Sequence, residues 1–428
     1  MNSYPTYKDS GIEWLGQIPT HWDLLRNKIF ITEHDNVVGQ DAYKYTLLSL
    51  TKQGVIQRDI ESGKGKFPKE FDNYKIVESG NIIFCLFDVD ETPRTVGLSS
   101  IDGMITGAYN VFSIKGINSQ FYYYYFLAVD EAKALRPLYS GLRKVVKTER
   151  FAGLRIPVPP EEEQRQIVAY LDYKSNKINE RICQRERELQ TLSELKQADI
   201  AAVVTRGLDP NVPMKESGIE WIGQIPAHWE IKYLSQIAEE HYISNKDVHH
   251  QNLLSLSYGR IVRKDINTTE GLLPASFDTY QVIEKGNIIL RLTDLQNDHK
   301  SLRIGLVTEE GIITSAYICI QSRQAVLPEY LYLLLHSYDI CKVFYGMGGG
   351  LRQSLSYADI KRIPIIIPAI SEQVEIIKHI NAKTKNIDIY MESLKKEIEL
   401  LQEYKQRLIS DVVTGKVDVR GVEIPSEE

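Results

Sequence analysis

Cysteine is scarce, four in 428 residues, and Cys85, Cys183, Cys319 and Cys341 are scattered without close pairing. That spacing excludes a disulfide framework and a zinc site, and fits buried thiols in a reducing cytoplasm. No run approaches the roughly 18 consecutive apolar residues of a membrane span. The opening MNSYPTYKDSG has no basic segment followed by an apolar stretch, so no secretory signal is expected. Catalytic motifs are missing too. There is no Asn-Pro-Pro or Asp-Pro-Pro adenine clamp, and Gly348-Gly349-Gly350 lacks the strand–GxGxxG–helix setting of a cofactor loop. Neither Gly63-Lys64-Gly65-Lys66 nor Thr414-Gly415-Lys416 completes a phosphate-binding GxxxxGK[ST]. HExxH and CxxC do not occur, and His249-His250 reads as a solvated loop. Nor is there an excess of positive charge: 51 Lys and Arg stand against 57 Asp and Glu, a net −6. A nucleic-acid binder of this balance must gather its basic residues locally.

What is present is a repeat. The chain is 43% hydrophobic and 25% charged, an ordinary globular composition, and its length suits two domains of about 150 residues with connections. SGIEWLGQIPTHWD at Ser10 returns as SGIEWIGQIPAHWE at Ser217, with ten or more of the fourteen positions identical. FDNYKIVESGNIIFCLFD at Phe71 returns as FDTYQVIEKGNIILRLTD at Phe277, and GMITGAY at Gly103 as GIITSAY at Gly311. Gly-Leu-Arg at 141–143 matches 350–352, Arg-Ile-Pro at 155–157 matches 362–364, and Glu163-Gln164 matches Glu372-Gln373. Offsets stay between 206 and 209, and the proline-marked DPNVP at 209–213 joins the halves.

Each half has the same internal order. Short β-rich runs such as NIIFCLF and GNIILRL follow the leading GIEW…HW segment, separated by Gly, Asn and Asp turns. A short helix is expected at FYYYYFLAVDEAKAL and at EYLYLLLHSYDICKVF. Prolines then precede a long polar helix, from about Glu161 and from about Ser371, with Glu161, Glu162 and Glu163 at the positive end of the first helix dipole. In the second helix Ile380, Ile387, Leu394, Leu401 and Leu408 recur every seven residues; the first gives Leu171, Ile178, Arg185, Leu192 and Asp199. This is a coiled-coil seam, interrupted by charge in the first copy, so pairing of the two helices antiparallel within one chain is expected. The fold class is α+β: two β-rich recognition domains (1–157 and 209–364), two long helices (158–208 and 365–415) of roughly 60 Å each, and a tail at 416–428.

Charge, read locally, favours DNA. Residues 139–155 carry Arg143, Lys144, Lys147, Arg150 and Arg155 against Glu149, and residues 341–362 carry Lys342, Arg352, Lys361 and Arg362 against Asp359. Both basic stretches occupy the same place in the repeat. Lys64 and Lys66 in a Gly-rich loop, and Arg260, Arg263 and Lys264, are further candidates for phosphate contact. Gln353 suits adenine and its counterpart Lys144 suits guanine. Trp14, Trp22, Trp221 and Trp229 sit in apolar IPxHW frames, where core anchoring is expected before base stacking. Residues 122–125, all Tyr, form one amphipathic element.

The GIEWxGxIPxHW segment, the β-rich unit, the Gly-Leu-Arg turn, the IPxPP…EEQ helix start and the repeated long helix together resemble the specificity (S) subunits of type I restriction–modification enzymes. The likeness covers essentially the whole chain, twice. It implies a non-catalytic subunit whose two domains each read half of a split sequence in double-stranded DNA. It further implies two adenine-N6 methyltransferase subunits docked on the helices and a motor-nuclease subunit for restriction. S-adenosylmethionine, ATP and Mg²⁺ would then sit on those partners and no cofactor on this chain. Gln164, Arg185 and Gln373 are the helix-face residues expected to meet partners. A self-contained nuclease or modification enzyme, its site assembled from dispersed Asp and Lys, is the alternative; it requires turnover by the isolated chain.

Overall fold

The computed structural model describes residues 2–58, 70–140, 144–246, 250–265, 276–296, 302–347 and 354–425. Seven α-helices occur among them: α1 (Ser119–Glu131), α2 (Thr148–Gly153), α3 (Glu161–Arg206), α4 (Leu234–Ile237), α5 (Pro328–Ile340), α6 (Tyr357–Ile360) and α7 (Ile370–Val413). None of the described helices is long and apolar enough to cross a membrane. The chain divides into two compact units, residues 1–186 with 396–428, and residues 187–395. By this division α3 begins in the first unit and ends in the second, and α7 does the reverse.

In the first unit a four-stranded antiparallel sheet runs Ile31–His34, Asn110–Ile114, Ile82–Phe84, Val96–Leu98. The second unit repeats that order with Ala238–Glu240, Ile318–Ser322, Ile288–Leu290 and Ile304–Leu306. Ile82, Ile83 and Phe84 are all buried, as are Ile288, Ile289 and Leu290. These central strands are covered on both faces, which is why they read as continuous apolar runs rather than alternating ones. α1 lies on the sheet, its start capped by Asn118 Oδ1, which accepts from the Gln120 and Phe121 amides. Its tyrosine run is core: Tyr122, Tyr124 and Tyr125 are buried, and Phe126 meets Phe84 and Phe151 with ring centroids 5.1 and 5.3 Å apart. Each such ring contributes about 1.5–3 kcal/mol by burial. The second unit fills the same place with aliphatics, Leu331, Leu334 and Leu335 of α5 against Ile288, Leu290 and Ile304.

Both long helices start after proline, with acidic residues in the first turn (Glu161–Glu163 in α3, Glu372 in α7), as their sequences predict. The residues recurring every seven positions are the covered ones: Leu171, Ile178, Ile380, Leu394 and Leu408 are buried, and Arg185, Leu192, Asp199, Ile387 and Leu401 are half-buried. Within the first unit Lys405 Nζ donates to Asn179 Oδ1 (2.8 Å), and Arg181 and Arg185 reach Glu397 at 3.2 and 3.0 Å. Within the second, Lys196 reaches Asp388 at 2.5 Å and Lys383 reaches Asp199 at 3.0 Å. In each unit the partner numbers fall on one helix as they rise on the other, so these segments pack antiparallel. Arg185 and Asp199, which interrupt the apolar seam, are answered by opposite charges.

The structure corrects one register. Arg155 pairs opposite Arg26, whereas Pro364 pairs opposite Tyr233, the counterpart of Arg26. The two Arg-Ile-Pro triplets therefore do not superpose: Arg155 takes the place of Pro364, and the offset there is 209 rather than 207. Cysteine needs a second correction, since Cys85 and Cys319 are buried but Cys183 and Cys341 are exposed; all four are free.

Candidate nucleic-acid interface

In the first unit the predicted basic stretch lines an open cleft of about 450 Å³. Its walls include Phe87, Asp88, Asn110, Val145, Lys147 and Thr148. The sheet supplies one side. Asn110 stands opposite Phe84 in the ladder, and the chain leaving Phe84 turns at Asp88, whose φ is +45°. The other side is the segment entering α2, tied back by Val146 N–H to Leu86 O at 2.7 Å and by the Phe87–Val145 bridge. Two non-glycine residues in left-handed conformation, Asp88 and Lys144 (φ +48°), thus lie side by side. The Asp88 amide donates to Lys144 O at 3.2 Å. Backbone strain of this kind persists where surrounding structure enforces it, and it concentrates at functional sites.

Polar Asn110 and Thr148 and aromatic Phe87 all line the cleft. Asn110 Nδ2 donates to Glu33 Oε1 at 2.6 Å and lies 3.4 Å from Thr148 Oγ1. Phe87 stacks on Tyr109, centroids 6.1 Å apart and planes 25° apart. Lys147 is exposed at the N-terminus of α2, and no ion pair engages it among the described residues.

The other expected contacts divide. Lys144 is ion-paired at the surface of the unit, 2.5 Å from Glu91 and 3.5 Å from Asp90. The Tyr139 hydroxyl, then the Asp90 amide and the Lys144 ammonium, hold the Asp90 carboxyl below its usual range. Arg150 donates to the carbonyls of Leu138 and Tyr139. In the second unit Arg263 is likewise ion-paired, its guanidinium forked on Glu309. Arg260, on the same hairpin, is exposed and only within 4.0 Å of Asp388. Lys361 is exposed just beyond α6. Lys64, Lys66, Arg143, Arg352 and Gln353 lie outside the described residues, as does His249.

Gln164 and Gln373 are corrected outright. Gln164 is buried, accepting from the Asn118 amide and donating to Pro159 O, both at 2.8 Å. Gln373 is fully buried and accepts from the Leu327 amide at 2.8 Å while donating to Pro368 O. Each pins the start of a short helix to the start of a long one and presents nothing to a partner. Arg185 is engaged by Glu397, so it too is tied down within its own unit.

Sequence reading passed over two features. One is the partner of the HW pair: Trp22 Nε1 and Tyr4 Oη donate to Glu163 Oε1, with His21 on Oε2, and Trp229 and His228 both reach Glu372 Oε2. Trp22 and Trp229 are fully buried, Trp14 and Trp221 are not. The other is Asn110, legible only as the place where matched blocks diverge, TGAYN becoming TSAYI.

A family profile described as "Type I restriction modification DNA specificity domain" matches residues 39–189 and 229–400. A putative type I restriction enzyme MjaX specificity subunit of Methanocaldococcus jannaschii is 21% identical over 432 residues, covering 95% of this chain and 96% of that protein. The type I restriction enzyme MjaVIII specificity subunit of the same organism is 24% identical over 64% of each chain. A solved structure described as bearing on complex assembly and conformational transition of the type I R-M system aligns over 94% of this chain and 99% of that one. Its TM-score is 0.61 at 13% identity, a likeness of fold. With the profile covering most of the chain in two blocks, one per repeat, the protein belongs to the type I restriction–modification DNA specificity family.

Proposed function

We propose that this chain is the non-catalytic subunit that carries a methyltransferase and a motor nuclease to a bipartite target in double-stranded DNA. One observation carries the reading: a single β-rich architecture is built twice, with the same sheet order and the same helix latch, yet with different side chains at matching framework positions. A protein needing only stability has no use for that divergence on a repeated frame. A protein reading two unlike half-sites does. The long helices common to both units set the unread interval between half-sites. The adenine methyltransferase subunits dock on the helices, where Leu195, Ile389, Leu400 and Tyr404 are exposed apolar residues outside the paired seam. S-adenosylmethionine, ATP and Mg²⁺ belong to those partners, which would extrude the adenine for methylation. The assembly works in the cytoplasm.

The test is co-expression with methyltransferase subunits, followed by mapping of methylated adenines. Exchanging residues 20–155 for another recognition unit should alter one half of the mapped sequence and leave the other intact. Change in both halves, or in neither, refutes the modular reading. Cleavage or methylation by the purified chain alone, supplied with Mg²⁺ or S-adenosylmethionine, would refute the non-catalytic role.

A further inference from the structure

We infer that the cleft of the first unit is its base reader, with Asn110 addressing a base edge and Lys147 holding the strand at the rim; this rests on the function proposed above. The argument comes from comparing the cleft with the same place in the second unit. The frame is identical: Val146 N–H donates to Leu86 O at 2.7 Å, and Leu355 N–H donates to Leu292 O at 2.8 Å. Asn110 stands opposite Phe84 as Ile318 stands opposite Leu290. From these anchors Lys147 corresponds to Ser356 and Thr148 to Tyr357.

The second unit uses these positions for stability. Ile318 is buried. Ser356 caps α6 through a reciprocal capping box with Asp359. Tyr357 lies on the core and donates to Ala238 O at 2.9 Å.

In the first unit all three stabilising choices are absent. Lys147 at the N-cap of α2 makes no side-chain cap, and its positive charge sits at the positive end of the helix dipole. Thr148 is small where its counterpart is a core tyrosine, and Asn110 brings an amide where its counterpart is apolar. Places where a chain breaks its own local rules, without compensation inside the fold, are where function is expected.

The chemistry fits a nucleobase. Asn110 keeps its carbonyl and, once the weak 3.4 Å contact to Thr148 is exchanged, one amide hydrogen, the pair that matches an adenine edge. Glu33 holds the other amide hydrogen and so fixes which way the amide faces. The Asp88 carboxylate can accept from an exocyclic amine and repels phosphate, leaving Lys147 to attract the backbone among the described residues that line the cleft.

The experiment uses the full chain co-expressed with methyltransferase subunits. Lys147→Ser, Asn110→Ile and Thr148→Tyr give the first unit the residues of the second, and methylated adenines are mapped for each variant. Asn110→Ile should relax discrimination at one base pair of one half-site by about tenfold or more, while the other half-site is read as before. Lys147→Ser should weaken binding to duplexes carrying the target and reduce its salt dependence, yet melt no lower than the parent because a serine cap is gained. Variants that methylate the parent sequence at the parent rate would overturn the assignment while leaving the proposed function standing; variants that alter both half-sites would overturn the modular reading along with it. A parent protein with no sequence preference would overturn the function itself.

Discussion

The Trp22 indole donates to Glu163 Oε1 at 2.9 Å, and that single carboxylate also accepts the Tyr4 hydroxyl at 2.6 Å and meets His21 at 2.7 Å. Glu163 is buried, so these three partners stand in for water around its carboxylate. Burial, together with this carboxylate, pushes the Tyr4 phenol well up from its ordinary value, so the hydroxyl stays a donor. Glu163→Ala leaves buried donors unanswered and should cost about 2–4 kcal/mol, measured by denaturant unfolding, with Glu163→Gln recovering part of the loss. An unchanged midpoint for Glu163→Ala would show that the latch holds nothing.

The glycines that follow the long helices give a second test. Gly415 has φ +76°, and a Cβ there would lie 2.3 Å from Pro19 Cδ and 3.2 Å from Trp22. Gly207 has the same φ, but its nearest neighbour would be 3.2 Å away, the carboxylate end of Glu372. Gly415→Ala should therefore destabilise by about 2–3 kcal/mol and Gly207→Ala by less, read by thermal melting. Equal effects would mean that only the backbone angle matters and the proline contact does not.

One position differs between the equivalent helix contacts. Lys196 sits on a carboxylate, Asp388, at 2.5 and 2.7 Å, whereas Lys405 sits on the neutral amide of Asn179 at 2.8 Å. Burial, and then the nearby Arg94 charge, lower the Lys405 ammonium from its ordinary value. Asn179→Asp should stabilise the first unit by about 0.5–1 kcal/mol, and less at high salt; Asp388→Asn should weaken the second by a similar amount. Opposite shifts in melting temperature are the expected result, and parallel shifts would contradict it.

His336 supplies a pH dependence. Burial, and secondarily Lys196, depress it to about 4, and its Nδ1 has no hydrogen-bond partner among the described residues. The unfolded chain, with an ordinary histidine near 6.5, then binds more protons than the folded one between those values. Stability is complete above about pH 6.5 and falls as pH drops toward 4, by up to about 3 kcal/mol. His336→Phe should flatten that slope in melts taken from pH 7 to 4.

Much of this was legible in the chain itself. The seven-residue recurrence through Ile380, Leu394 and Leu408 marks the covered seam of α7, because one side of a helix must be apolar to be buried. The unbroken apolar runs of the central strands likewise announce that both faces are covered. Register was less legible: two Arg-Ile-Pro triplets look equivalent, but a ladder is set by turn length and by which side chains face the core, and that displaced one by two residues. Charge was least legible of all. Lys144 and Arg263 look like isolated cations by composition, yet folding brings Glu91 and Glu309, 53 and 46 positions away, into ion pairs with them.

Sequence by itself determined the duplication, the helix starts and seam, the apolar strands and the family, since these depend on periodicity and on identity between the halves. Tertiary structure alone decided which polar residues remain free to act. That outcome depends on partners brought close by folding, so Gln164 and Gln373 became internal clamps while Asn110 and Lys147 were left beside an open cleft.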